Sequence, residues 1–371
     1  MNVVIIGTAF PLRGGIAHFN ALLAAYLGKR HEVNTITFKR QYPKFLFPGK
    51  TQEEQGDVIN VQPAPEIIDS INPFNWIKIA RFIGKQKPDL LIFKYWLPFF
   101  GPCFGTIAKL VKKRAGSKVL FICDNIIPHE RRLGDILFTK FAFKQVDYFI
   151  IQSNSVETDL KKYFPDACYS KVPHPVYENF GLPAPKEAAR TSLKIDVKKV
   201  ILYFGYIRAY KGLMILIEAM KHLEDVLLLA VGEFYDDETK YRQKVKDLNL
   251  ESQIRFVADY IPNTEVGVYF SAADVVVLPY LSATQSGITQ IAYNFNKPVI
   301  ATNVGGLAEV IIDGLTGYIV EPNNPMAIAY AIKKFYDERK EEEFSHNVER
   351  EKVKYSWESF VRNIEELTGI R

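Results

Sequence analysis

Long apolar runs are missing from these 371 residues. The longest, such as Val200 to Phe204 and Val226 to Val231, stop far short of the roughly 20 residues that a bilayer-spanning helix requires. Met1 passes straight into a β-branched strand pattern, so no leader is expected and the chain is expected in the cytosol. Cysteine is scarce and odd in number. Cys103, Cys123 and Cys168 share no close spacing, which argues against a disulfide framework or a zinc site and leaves them as expected core thiols. Low-complexity tracts and short repeats are absent too, so function must be sought in loops.

What is present is an uneven charge. The net charge is +5, yet residues 1–180 hold 24 Lys+Arg against 15 Asp+Glu, giving +9, while residues 181–371 hold 23 against 27, giving −4. Such an imbalance turns the first half toward something anionic: a phosphorylated or lipid-linked acceptor, or the inner face of an anionic membrane. The plain alternative is a solvated lysine-rich face. The basic residues are scattered and match no nucleic-acid motif, so nucleic acid is not an expected partner.

Short β-branched runs recur at Val3–Ile6, Glu32–Phe38, Val58–Val61, Leu90–Tyr95, Lys118–Cys123 and Tyr148–Gln152, with amphipathic stretches between most of them. A second series follows the polar segment Gly181 to Val197, expected as a linker between two similar α/β units: Lys199–Phe204, Val226–Val231, Ile254–Val257, Val275–Leu278, Val299–Thr302 and Tyr318–Val320. Alternating strands and helices predict an α/β chain with two parallel sheets. The expected domains are 1–180 and 198–353, with 354–371 packing back toward the first. Ser356 to Ile370 predicts that last helix, its Trp357, Phe360, Val361, Ile364 and Leu367 spaced by threes and fours. Ligands of parallel sheets lie beyond the carboxyl ends of the strands, so two sheets facing a central cleft would share one ligand.

Three loops carry candidate chemistry. Gly7 to Asn20, GTAFPLRGGIAHFN, sets Gly14 and Gly15 before a helix, where bare backbone amides meet an anion or merely form a tight turn. The spacing is not G-x-G-x-x-G, which counts against a nicotinamide or flavin cofactor. FGYIRAYKG, Phe204 to Gly212, brings Arg208 and Lys211 to the start of a helix, where two cations suit a leaving diphosphate. Leu278 to Pro322 predicts a βαβα unit with Ser286, Gly287, Ile288 and Thr289 at a helix N-terminus. Asp236 and Asp237 adjoin each other in a polar stretch and read as surface rather than a metal pair. Phe38 to Lys50 and Pro73 to Phe82 alternate aromatics with cations, fit for a membrane interface, a lipid-linked acceptor or ordinary packing.

These features together resemble the retaining glycosyltransferases of family 4, the group 1 glycosyltransferases, whose fold is GT-B. The likeness is carried by the Gly14-Gly15 loop, Gly205 with Lys211 six residues on, the S-G-I-T-Q loop and the run K-P-V-I-A-T-x-V-G-G-L-x-E-V-I-x-D-G-x-T-G-Y-I-V-x-P. It spans nearly the whole chain, and that last run is its most specific part. By this resemblance Gly14, Gly15, Arg208 and Lys211 hold the donor diphosphate. Tyr206, Gln285, Ser286, Gly287, Ile288 and Thr289 line the donor, and Val257 and Ala258 lie near its base. Arg13, His18 and Asn125 fall on the acceptor side. CDNIIPHERR, Cys123 to Arg132, resembles the segment where a histidine adjoins the donor sugar, which makes Asp124 and His129 catalytic candidates; the plain alternative for His129 is a helix cap. His174, in VPHPVYENFG, is a weaker candidate.

Two departures stand out. Where the family sets arginine directly after the glycine of its first motif, this chain has Tyr206. Where the family carries two glutamates eight positions apart, Leu278 to Lys297 holds no carboxylate, and Ala283 or Thr284 and Ile291 or Ala292 stand in their places. Gln285 and Gln290 keep hydrogen-bonding capacity without charge. The resemblance implies transfer of a hexose-type residue, with retention and without metal or cofactor, from a nucleotide-diphosphate sugar to a glycan or lipid-linked hydroxyl, as in polysaccharide or lipopolysaccharide synthesis at the cell envelope. A catalytically silent nucleotide-sugar or glycan-binding module and a sugar-nucleotide epimerase are its rivals.

Overall fold

The computed structural model describes residues 1–43, 63–127 and 133–370. It divides into two compact units, residues 1–175 with 355–371, and residues 176–354. The expected strand at Val58–Val61, His129, and most of the aromatic-basic stretch after Phe38 lie outside the described residues.

In the first unit the elements run β1 (Asn2–Ile6), α1 (Gly15–Leu27), β2 (Glu32–Arg40), β3 (Glu66–Asp69), α2 (Pro73–Lys85) and β4 (Leu90–Tyr95). They continue with α3 (Gly101–Ala115), β5 (Lys118–Cys123), α4 (Asp135–Phe143), β6 (Tyr148–Ile151), α5 (Asn154–Tyr163) and β7 (Tyr169–Lys171). The sheet order is β3-β2-β1-β4-β5-β6-β7, every described pair parallel. β4 is buried along its whole length, the pattern of a strand covered on both faces. The short edge strands β3 and β7 escape sequence patterning because Glu-Ile-Ile-Asp and Tyr-Ser-Lys show no apolar alternation. Cys103 and Cys123 are core thiols, but Cys168 is exposed, since it sits in the turn before edge strand β7 rather than under a helix.

In the second unit follow α6 (Lys186–Ser192), β8 (Lys199–Phe204), α7 (Leu213–Met220), β9 (Val226–Val231), α8 (Glu238–Asp247), β10 (Ile254–Val257) and α9 (Asn263–Ala272). Then come β11 (Val275–Leu278), α10 (Gly287–Asn294), β12 (Val299–Thr302), α11 (Leu307–Val310), β13 (Gly317–Val320), α12 (Pro325–Asp337) and α13 (Glu341–Glu351). The order is β10-β9-β8-β11-β12-β13, again parallel throughout. The segment expected as a polar linker instead contains α6, packed on α9. Its Arg190 is buried with Nη2 2.7 Å from Asp274 Oδ1, a charge pair that sequence patterning does not register.

The chain returns to the first unit with α14 (Trp357–Thr368), started by Ser356, which accepts a hydrogen bond from the Ser359 amide, and stopped by left-handed Gly369. Its apolar stripe packs on α1: Trp357 lies 5.1 Å from the Phe19 ring and 5.9 Å from Tyr26, and Phe360 lies 5.6 Å from Phe19. Polar contacts flank the stripe, with His31 Nε2 2.8 Å from Glu365 Oε1 and Lys118 donating to the Thr368 carbonyl at 2.7 Å. Trp357 is fully buried, so Trp357→Ala is expected to cost the first unit about 3–5 kcal/mol in chemical denaturation. A loss under about 1 kcal/mol would show that this contact does not hold α14.

Candidate functional site

In the second sheet the strand order reverses at β8, between β9 and β11. Loops leaving the carboxyl ends of two such neighbours diverge and expose backbone, the standard ligand position of an open parallel sheet. Here those loops are Gly205–Gly212 after β8 and Pro279–Ser286 after β11. They are tied together: the Leu281 amide donates to the Tyr210 carbonyl at 2.7 Å, and Thr302 Oγ1 donates to the Tyr280 carbonyl at 2.6 Å.

Arg208 and Lys211 stand at the start of a helix, as the pattern predicts, in the turn just before its first residue. Residues Ala209–Lys211 form a 3-10 turn, and Gly212, at φ 70°, redirects the chain into α7. A β-carbon at Gly212 would meet the Pro279 carbonyl oxygen at 1.9 Å, so glycine is required there to bring the two loops into contact. Lys211 therefore turns back over Gly205: a β-carbon built on Gly205 would lie 3.2 Å from Lys211 Nζ and 3.1 Å from Ile288 Cδ1. Strand end, lysine and the first turn of α10 thus converge.

Neither cation has a carboxylate partner among the described residues. Arg208 lies over the Tyr235 ring at 4.7 Å, Tyr235 packs on Tyr206 at 4.6 Å, and Lys211 Nζ is 5.7 Å from the Tyr280 ring centre. Tyr206 thus contacts the aromatic ring that carries Arg208. Burial of the Lys211 ammonium, with Arg208 beside it, pushes its pKa down to about 8. Two neighbouring cations held without an acid are costly unless an anion joins them.

The first turn of α10 carries no acidic residue, and its cap Ser286 makes no capping bond of its own; its hydroxyl lies 3.4 Å from Tyr280 Oη. Buried around it, Gln285 Nε2, Thr289 Oγ1 and Gln290 Oε1 have no hydrogen-bond partner among the described residues. Unsatisfied buried polar atoms are rare, and three beside one helix N-terminus mark a place built for a polar ligand. Val257 and Ala258, at the end of β10, are separated from this group by β9, whose following Gly232 donates its amide to the Val257 carbonyl. Asp237 caps α8 by accepting from the Thr239 amide, while Asp236 accepts from Tyr241.

The first sheet has the same reversal, at β1 between β2 and β4. After β1, Asn20 Nδ2 donates to the Thr8 carbonyl at 2.9 Å and Gln41 Nε2 to the Thr8 hydroxyl at 2.8 Å, which pins the loop that carries Arg13, Gly14 and Gly15. Gly14, at φ 111°, precedes α1, whose first turn has no acidic residue, and among the described residues nothing lies within 4 Å of where its β-carbon would be. His18 is buried edge-on to Phe10, and burial pushes its pKa down to about 4, so it is neutral at physiological pH.

The residue that sequence reasoning missed is Lys94, at the carboxyl end of β4. It is fully buried, with Nζ 2.6 Å from Asp124 Oδ1, 3.2 Å from Gln152 Oε1 and 3.7 Å from the Phe19 ring centre. Burial pulls its pKa below the usual lysine value and Asp124 pulls it back up. His174, whose ring meets Phe19 at 5.2 Å, is driven down to about 3 by burial and then by Lys94. Asp124 is thus an ion-paired carboxylate, with half-buried Asn125 next to it. The available signal was a lysine inside the strand LLIFKY, where both faces are covered.

The family model described as glycosyl transferases, group 1, matches residues 185–352, within the second unit. The chain is 31% identical over 162 residues to a D-inositol 3-phosphate glycosyltransferase of Corynebacterium glutamicum, covering 41% of this chain and 38% of that protein. It is 26% identical over 233 residues to the lipopolysaccharide 1,2-N-acetylglucosaminetransferase of Salmonella typhimurium, covering 58% and 60%. Less than two thirds of either relative is therefore spanned. In fold, the structure of Anabaena HepE in complex with UDP superposes with a TM-score of 0.76 at 15% identity over 100% of each chain. Two Rossmann-like units with parallel sheets of seven and six strands make this the GT-B fold.

Two outcomes follow from the charges. Below about pH 8 Lys211 is protonated and attracts an anion; above it the neutral amine does not. Affinity for inorganic pyrophosphate should therefore fall by up to about tenfold per pH unit above that value, and Lys211→Arg should remove the fall, as calorimetric titration would show. Parallel pH profiles for the two proteins would refute the assignment. Asp124→Ala alone, leaving a buried ammonium unpaired, should cost about 3–5 kcal/mol, and adding Lys94→Met should restore most of it in denaturant titrations. A double variant no more stable than the single one would show that the two side chains are not coupled.

Proposed function

We propose that this chain, whose residues 185–352 match the family model of the group 1 glycosyl transferases, moves a sugar from a nucleotide-diphosphate donor to an acceptor hydroxyl. The observation that carries the proposal is the acid-free cation pair Arg208 and Lys211, joined through Gly205 to the first turn of α10 with its three orphaned polar atoms. As the glycosidic bond breaks, negative charge grows on the leaving diphosphate, and fixed cations and amides in a partly dry site stabilise that state more than the ground state. Gln285, Ser286, Gly287, Ile288 and Thr289 offer amides, amide groups and hydroxyls to the donor, and Gln290 adds an uncharged acceptor. The nucleoside is assigned to the carboxyl edge near Val257 and Ala258.

The first unit takes the acceptor, with Arg13 and Asn125 assigned to it and Asp124 as a hydroxyl partner, while the Gly14-Gly15 amides are assigned to the donor diphosphate. Retention at the sugar carbon and independence of metal belong to the same proposal. The UDP complex of HepE makes a uridine donor the first to test, and the lipopolysaccharide transferase among the relatives supports an envelope glycan as acceptor. Such acceptors are presented at membranes, so the proposal includes peripheral contact of the basic first half with an anionic bilayer. Among the described residues no helix is long and apolar enough to cross one.

The acid-free stretch Leu278 to Lys297 favours one rival, a module that binds nucleotide sugar without turning it over. Nucleotide release from UDP-, GDP- and ADP-sugars separates the two: turnover excludes the module, and tight binding without release excludes the enzyme. Lys211→Ala should lower kcat/KM by about 3 kcal/mol of lost transition-state stabilisation, on the order of a hundredfold. Unchanged turnover in that variant would end the diphosphate role.

A further inference from the structure

We infer that α2, α3 and α4 together form a docking face for a negatively charged lipid bilayer. This deepens the peripheral contact included above by naming its surface. α2 packs on α3 and α3 on α4, so the three helices form one continuous layer of the first unit.

The outer side of that layer is apolar where water would ordinarily meet polar residues. On α2 the side chain of Phe74 is 84% exposed, with Ile77 and Phe82 also exposed; on α4 Leu137 is 68% exposed, with Ile136 and Phe141 beside it. Their spacing is helical. Phe74, Ile77 and Phe82 share one face of α2 with Lys78, Arg81 and Lys85, and Ile136, Leu137 and Phe141 share one face of α4 with Lys140 and Lys144. These positions are not needed for the core, because each helix buries a different stripe: Ile79, Ala80 and Ile83 on α2, and Thr139, Ala142 and Phe143 on α4.

Charge selects the occupant. In residues 73–85, 101–115 and 135–144 the only carboxylate is Asp135, and it is buried. The exposed charges, with Lys109 of α3 between the outer helices, are therefore all positive. A second copy of the chain would set these cations against each other. A polynucleotide would meet aliphatic side chains where its phosphates need donors. An anionic bilayer satisfies both groups, since rings and aliphatic side chains enter between the headgroups while lysine and arginine stems reach back to the phosphates.

The full chain should sediment with vesicles of phosphatidylcholine mixed with phosphatidylglycerol and not with phosphatidylcholine alone, and the binding should weaken with added salt. Lys140→Glu with Lys144→Glu should reduce partitioning by about tenfold or more. Phe74→Ser with Leu137→Ser, both at exposed positions, should reduce it as well while the circular dichroism spectrum stays unchanged. Equal binding to both vesicles, binding to neither, variants that partition like the parent, concentration-dependent dimerisation through this face, or stronger binding to duplex RNA would each overturn the proposal. Turnover of nucleotide sugar is read separately in solution. A chain that never releases nucleotide yet sediments with anionic vesicles removes the transferase and leaves the docking face standing, and the converse result does the opposite.

Discussion

Parallel pairing obliges the chain to leave every strand at the same edge of its sheet, and both units gather their chemistry at that edge. Where the strand order reverses, beside β1 and beside β8, the departing loops part and leave main-chain amides and side chains uncovered by the helices. Gly14, Lys94 and Asp124 belong to that edge of one sheet, and Gly205, Lys211 and Ser286 to that edge of the other. The helices cover apolar strands such as β4 and β9, which lack a polar face and cannot remain in water.

Buried charge is treated in two opposite ways. Lys94 with Asp124, and Arg190 with Asp274, are ion pairs closed by further hydrogen bonds, so their desolvation is offset inside the fold. Lys211 stands beside another cation with no carboxylate partner among the described residues, and burial together with Arg208 holds its pKa below the usual lysine value. A buried cation without a counter-charge favours an anion beside it, which is why the proposed diphosphate role falls on Lys211 and not on the closed pairs.

The strands were legible because period-2 and continuous apolar runs reflect burial, which the sheet demands of every central strand. The edge strands β3 and β7 were not, since Glu-Ile-Ile-Asp and Tyr-Ser-Lys show no apolar alternation and are poorer in apolar residues than the edge strands β10 and β13. The reading of Gly181 to Val197 as linker failed at α6 because its anchor is a buried arginine rather than an apolar stripe, and composition scores arginine as surface. The positions of Arg208 and Lys211 relative to α7 depended on one left-handed glycine, which spacing alone does not distinguish from a helical first turn.

By itself the sequence determined the class of fold, the residue types of the two glycine loops and the cationic motif, since each follows from local periodicity or from what backbone and side chains of those types can do. Only the tertiary structure decided which charges are cancelled and which stay available. Asp124 looks like a free carboxylate in the chain and is tied to Lys94, thirty positions earlier, because β4 and β5 lie side by side; Lys211 reads in the chain as a cation suited to a diphosphate, and only the fold shows it enclosed over Gly205. Pairing between distant positions is a property of strand order, and strand order is settled by the burial of whole elements rather than by any local run of residues.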